Sequence, residues 1–281
     1  MQTYDEVRLK ALFQLLQTEA DAYGPVLKRE LATALRQNPQ QVKQLLETQF
    51  TADAPLSVVH TLQEIAWEDL AAELSRFAAK INPNLEEGLT LLSQFIDPSV
   101  RPGEITACLD EWAHQLRTPL LNATNYTDIA AALSNFFFQV QQVQLVTNSR
   151  HIKDLSFARL LRKKSGSNLC VACLYAAIGQ RFALEMSLVD LAGRILIHLQ
   201  SPDRSESFFI DPLDEGKLLT ADDCWNYMDA RCVQWEDDFL SPLSSRQIIR
   251  RLLANMIFIL NKLHDERRLK YVRNYLEIMK G

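Results

Sequence analysis

The sequence predicts an α+β protein that is mostly helical and carries one small antiparallel sheet. Apolar residues recur at helical spacing through the first 140 residues, whereas three short segments of strand character cluster between residues 185 and 211. Helical spacing returns after residue 220. Helices placed on both sides of a few consecutive strands are typical of the α+β class, because consecutive strands usually pair with one another.

The helices before residue 140 are delimited by prolines, asparagines and changes in apolar spacing. Pro55 and Ser57 begin a long helix, and Asn84 is the expected N-cap of the next one. The first helix should bury Val7 and Leu15 together with their apolar neighbours, and Pro25 should lie near the start of the second. The expected helices cover about residues 7–16, 25–35, 39–50, 57–79, 85–95, 102–116 and 127–138.

Three strands are expected to form the sheet, at residues 185–190, 194–200 and 207–211. Gly193 makes the turn between the first two, and a polar loop joins the last two. A helix over about residues 170–181 precedes the strands. The helices expected after them are a short one near residue 222 and a C-terminal pair over about 244–263 and 265–279.

The composition excludes several classes of protein. A net charge of −5 gives no electrostatic basis for binding nucleic acid or an anionic membrane. The most apolar run, residues 254–260, is far shorter than the roughly 20 residues of a membrane helix, and the N-terminus lacks the apolar stretch of a signal peptide. Five cysteines, an odd number, do not suit a disulfide scaffold. We therefore expect a cytoplasmic protein without a cofactor.

The segment most informative about chemistry leads into the helix near Cys170. Ser165-Gly-Ser-Asn-Leu-Cys is a polar loop that runs directly into an apolar helix. Free N–H groups and the helix dipole at such a start lower the pKa of a thiol, so we expect Cys170 to favour the thiolate. A thiolate is the nucleophile of cysteine hydrolases and acyl transferases, which also need a base and a group that orients the base.

Several segments, in the same order along the chain, resemble the SirB-type transglutaminase-like family. They are Asp154-Leu-Ser-Phe, the loop into the Cys170 helix, Leu174-Tyr175, Arg181-Phe-Ala-Leu and Phe209-Ile-Asp-Pro-Leu-Asp. The likeness is greatest over about residues 154–220, extends weakly back to residue 86 and forward through the C-terminal helices, and is slight in the first 85 residues. It implies a transglutaminase-like (papain-like) core, in which a central helix packs on a small antiparallel sheet, and a bacterial source. The implied regions are 1–85, N-terminal helices; 86–240, the core with preceding helices; and 241–281, a tetratricopeptide-like helical hairpin.

The resemblance also implies a set of site residues. The superfamily uses a Cys-His-Asp triad, whose nucleophile position falls on Cys170 and whose acid falls on Asp211. The family's histidine follows a turn glycine in a Pro-Gly-His-Phe pattern. The matching stretch here is Ala192-Gly-Arg-Ile, so Arg194 occupies the histidine position, and Asn168 replaces the proline usual before the nucleophile.

Arg194 limits what such a site can do, because a guanidinium stays protonated and cannot act as a general base. His198 is the nearest substitute and shares the strand face of Arg194, but it lies four residues along, about 13 Å at ~3.3 Å per residue. Two other roles remain open for Arg194. One is a structural ion pair with Asp211. The other is an anion-binding site at the helix start, formed by Arg194, Ser165, Ser167 and Asn168.

A metal site is not expected. Cys170-x-x-Cys173 has the spacing of some metal and redox motifs, but structural zinc sites usually take their paired cysteines from tight turns and not from an apolar helix. Cys173 is better interpreted as a small core residue.

Two functions from different classes follow. The first is a catalytically silent transglutaminase-like protein that acts as a regulatory or partner-binding module, with another protein as its partner. The alternative is a cysteine-dependent hydrolase or acyl transferase that uses Cys170, Asp211 and a non-standard histidine such as His198. The sequence names neither the partner nor the oligomeric state.

Overall fold

The structure, a computed structural model, describes residues 6–18, 20–37, 41–42, 44–45, 55–101, 103–234 and 237–280. The chain divides into two compact units, Met1–Ala72 and Glu73–Gly281. The described residues are mostly helical with small sheets, which confirms the α+β class. None of their helices combines the length and hydropathy that a membrane span requires. The division into three regions stays a prediction.

The first unit contains α1 (Glu6–Thr18), α2 (Ala20–Gln37) and the larger part of α3 (Leu56–Ala79). The predicted buried face of α1 is wrong in part, because Val7 is 76% exposed and Leu15 is 43% exposed. The stripe that α1 buries has the spacing i, i+3, i+4, i+7; it consists of Leu9, Leu12, Phe13 and Leu16.

Two other expectations for this unit have different outcomes. Pro25 lies inside α2, which begins five residues earlier, and not near its start. Most of the helix expected over 39–50 lies outside the described residues.

The second unit surrounds its sheets with helices. After the end of α3, its helices are α4 (Leu85–Ile96), α5 (Glu104–Leu121), α6 (Tyr126–Ser134), α7 (Phe157–Lys163), α8 (Asn168–Arg181), α9 (Ala221–Asp229), α10 (Ser245–Leu263) and α11 (Glu266–Ile278), with short 3-10 helices at Ile152–Leu155, Pro212–Asp214 and Asp237–Leu240. Asn84 caps α4 as predicted, because its side chain accepts a hydrogen bond from the Glu86 N–H. The helix predicted at 127–138 is α6, whose end continues as a π-helical turn, Asn135–Val140.

The strands are β1 (Gln144–Val146), β2 (Ser165–Ser167), β3 (Glu185–Leu191), β4 (Arg194–Gln200), β5 (Ser207–Asp211) and β6 (Lys217–Leu219). They form one two-stranded and one four-stranded sheet. The polar loop expected at residues 165–167 is instead strand β2, which pairs in parallel with β1. The four-stranded sheet is antiparallel in the order β3-β4-β5-β6, and its first three strands are those predicted.

The four-stranded sheet is covered on both faces. Helix α8 packs on one face, where Gly179 lies so close to Met186 that an added Cβ would come within 3.1 Å of the Met186 Cγ. Helix α9 covers the other face through Cys224 and Met228. Side chains alternate between the faces of a strand. The residues that pack towards α9 are Val189, Leu191, Leu196 and Phe209. The central helix on a small antiparallel sheet is therefore present, as expected.

Candidate functional site

Cys170 lies in the first turn of α8. The N-cap of this helix is Ser167, whose Oγ accepts a hydrogen bond from the Cys170 N–H at 3.4 Å. Every residue of α8 from Leu169 to Gly179 is buried, and Cys170 lies within this stretch. The Cys170 side chain is therefore completely buried.

Burial decides the protonation state of this thiol. It raises the pKa of Cys170 to about 11, because desolvation outweighs the lowering effect of the hydrogen bond with Ser167, and the nearby charge of Asp154 raises the pKa further. The expectation of a thiolate is therefore wrong. The start of a helix stabilises a thiolate only where the sulfur keeps some contact with solvent, and the Cys170 sulfur has none.

Arg194 and Asp211 form an ion pair between neighbouring strands. Arg194 begins β4 and Asp211 ends β5, and an Arg194 Nη donates to the Asp211 Oδ2. The Asp211 side chain is 1% exposed, and its Oδ1 also accepts the Leu213 N–H at 2.9 Å. The structural ion pair that the sequence left open is therefore present.

The residues around Arg194 stabilise its protonated, positively charged form. Its side chain is 25% exposed, and the guanidinium carbon lies 5.0 Å from the centre of the Tyr227 ring on α9. Burial lowers the pKa of Arg194, but hydrogen bonds to Asp211 and Tyr227 outweigh that effect and raise it. Tyr227 has no spacing signal in the sequence that links it to Arg194. The contact arises only when α9 folds over the sheet.

The other residues expected to bind an anion already make structural contacts near the start of α8. Ser165 pairs with Gln144 in the β1–β2 sheet, and Ser167 caps α8. The Asn168 Nδ2 donates to the Ile195 carbonyl at 3.5 Å, next to Arg194, while its Oδ1 is buried without a hydrogen-bond partner among the described residues. Anion binding here stays a prediction, and the charge such a ligand needs is already paired with a carboxylate.

His198 lies in the middle of β4 and not beside Cys170. Its ring stacks on Phe209 with ring centres 4.9 Å apart, and its Nε2 lies 2.9 Å from the Ser207 Oγ. Burial lowers the pKa of His198, which favours the neutral imidazole. Every residue of β4 pairs with β3, so no bulge moves His198 towards the position of Arg194.

The structure thus joins only part of the predicted constellation. Arg194, His198 and Asp211 share by strand alternation the sheet face that α9 covers, whereas α8, which carries Cys170, packs on the opposite face. Among the described residues, no hydrogen bond or ion pair joins Cys170 to any of those three. Within the same part of the chain, no group of three His, Cys, Asp or Glu residues is arranged to hold a metal ion.

Comparison with known proteins identifies the class of this protein. The family model of the transglutaminase-like superfamily matches residues 103–254, which is more than half of the chain and includes Cys170, Arg194 and Asp211. The chain therefore belongs to the transglutaminase-like superfamily. No curated protein matched the chain, and neither did any solved structure.

Proposed function

We propose that this protein is a catalytically silent member of the transglutaminase-like superfamily that acts by binding another protein. The observation that carries the proposal is the ion pair between Arg194 and Asp211. The resemblance puts Arg194 at the position of the family's histidine and Asp211 at the position of its acid. Acyl-transfer chemistry needs a base that accepts a proton and later returns it. A guanidinium held by a buried carboxylate cannot do so.

The state of Cys170 supports the same proposal. A thiol with a pKa of about 11 is almost wholly protonated near neutral pH, and a completely buried sulfur offers a substrate no approach. His198, the base that the alternative function requires, is occupied with Ser207 and Phe209.

The C-terminal hairpin supports assignment to the SirB-type family with tetratricopeptide-like C-terminal helices. Helices α10 and α11 pack on each other and are joined at His264, which adopts a left-handed conformation. Phe258 and Leu263 stay at least half exposed on α10, so the hairpin has apolar side chains available for a partner. We assign the protein a regulatory role in the bacterial cytoplasm.

Thiol alkylation followed by peptide mass spectrometry tests the silent state. Cys232 is exposed and serves as the reference thiol in the same chain. At about pH 7.5 a thiol with a pKa of about 11 has roughly 300-fold less thiolate than an ordinary thiol of pKa ~8.5. We therefore expect iodoacetamide to modify Cys232 quickly and Cys170 only after unfolding in urea.

Two outcomes would favour the enzyme instead. One is fast labelling of Cys170 in the folded protein that is lost in His198→Ala, since that result requires a histidine that activates the thiol. The other is a partner recovered as a covalent adduct that Cys170→Ser abolishes. A silent binding protein retains its partner unchanged when Cys170 is replaced by serine.

A further inference from the structure

A pocket of about 420 Å³ lies in the second unit, away from Arg194 and Asp211. It is bounded by the end of α4 and the residues that follow, by the 3-10 helix Ile152–Leu155, and by α7. Ile96 and Pro98 form an apolar wall. The volume falls in the range of about 300–1,000 Å³ typical of sites for small molecules.

Four basic side chains line this pocket because of the sequence pattern of α7. Arg159, Arg162 and Lys163 are spaced i, i+3, i+4 and therefore share one face of the helix. The other residues of α7 are buried against the core; they are Phe157, Ala158, Leu160 and Leu161. Lys153, from the preceding 3-10 helix, is the fourth cation.

Two of the four cations are already engaged. Arg162 donates to Asp97 at 3.1 Å and to Glu104 at 2.6 Å, so two of the three nitrogens of its guanidinium group are already hydrogen-bonded. Arg159 donates through one Nη to the Asp154 Oδ1 at 3.2 Å, which leaves its other donors available.

The two lysines are not engaged. In the part of the chain that the structure describes, the exposed side chains of Lys153 and Lys163 form neither a hydrogen bond nor an ion pair. Asp97 is the carboxylate that lines the pocket, and both of its oxygens are occupied, one by Ser99 and the other by Arg162. The pocket therefore has a surplus of positive charge, although the whole chain has a net charge of −5.

We propose that this pocket binds the phosphomonoester group of a small molecule. A phosphate dianion carries the charge and the number of acceptor oxygens that Lys153, Lys163 and the free donors of Arg159 can bond together. Ile96 and Pro98 contact the apolar part of the ligand. The proposal is independent of whether Cys170 is reactive, because the pocket shares no lining residue with that site.

Calorimetric titration with phenyl phosphate at constant ionic strength tests the proposal. We expect saturable binding by the wild-type protein, and at least a roughly tenfold weaker Kd in Lys153→Gln/Lys163→Gln, since two charge-assisted hydrogen bonds are lost. The matched control is Lys262→Gln/Lys270→Gln. It removes the same charge from exposed positions on α10 and α11 and should change the Kd less than about twofold.

The choice of ligands separates a specific site from general charge attraction. Benzoate should bind more weakly than phenyl phosphate, because it carries one negative charge and two oxygens. Inorganic phosphate should bind with intermediate affinity, because it lacks the apolar group. Absence of saturation by phenyl phosphate up to about 10 mM would overturn the proposal, and so would equal weakening in the two double variants.

Discussion

Replacement of Arg194 by methionine should destabilise the second unit by about 3 kcal/mol, because it removes the partner of a buried charge. Loss of one member of a buried ion pair usually costs about 3–5 kcal/mol. The lower end applies here, since Asp211 keeps its hydrogen bond from the Leu213 N–H. For a unit of this size, about 3 kcal/mol should lower the Tm by roughly 6–12 °C, measured by circular dichroism.

Arg231→Met is the matched control for this measurement. Arg231 is exposed and lies 4.4 Å from the same Tyr227 ring, so its replacement removes an equivalent side chain without stranding a carboxylate. We expect it to cost less than about 0.5–1 kcal/mol.

A double variant separates the effect of the unpaired Asp211 carboxylate from the loss of packing by the Arg194 side chain. Adding Asp211→Asn to Arg194→Met removes the uncompensated charge, and the amide oxygen can still accept the Leu213 N–H. The double variant should therefore be about 1–2 kcal/mol more stable than Arg194→Met alone. If the two substitutions are simply additive, or if Arg194→Met behaves like Arg231→Met, the buried ion pair is not what stabilises this part of the sheet.

Three further predictions concern the same unit. Gly216→Ala should lower the free energy of unfolding in urea by more than about 2 kcal/mol, because Gly216 has φ +84 and an added Cβ would collide with Ser134. Gly193→Ala should lower it by only about 1 kcal/mol, because Gly193 has φ +92 but open space around it. Equal losses would contradict the steric argument. Ser167→Ala should cost about 1 kcal/mol by removing the cap of α8, and an unchanged urea midpoint would show that the cap contributes nothing. Burial lowers the pKa of His198 below the value of about 6.5 that it has in the unfolded chain. The unfolded chain therefore binds the proton more readily, so the free energy of unfolding decreases as the pH falls from about 6.5 towards the folded pKa. His198→Phe should flatten the decline of the urea midpoint between about pH 7.5 and 5.5, and an unchanged decline would refute this cause.

The elements whose signals are local were predictable from the sequence. Asn84 precedes an apolar helix and caps it, and the strand patterns over 185–211 form three paired strands. The polar segment 165–167 was not predictable as a strand. Its pairing partner, β1, lies some twenty residues away, and three residues carry too little alternation to reveal a strand. The buried face of α1 was misassigned because Val7 and Leu15 are apolar yet exposed.

The site was predictable only where strand geometry fixes it. Arg194 begins β4 and Asp211 ends the neighbouring strand, so their pairing follows from an order that the sequence already shows. The protonation state of Cys170 does not follow from its position in the helix. The helix start and the desolvation act in opposite directions on its pKa, and their balance depends on what packs around the thiol.

The sequence by itself determined the class of the fold and the positions of Cys170, Arg194 and Asp211 on their elements. These features depend on residue identity and short-range spacing. The tertiary structure alone decided that the Cys170 thiol is buried and protonated, that His198 is held by Phe209, and that α7 lines a cationic pocket. Each of these depends on contacts between segments far apart in the chain, which set desolvation and charge pairing.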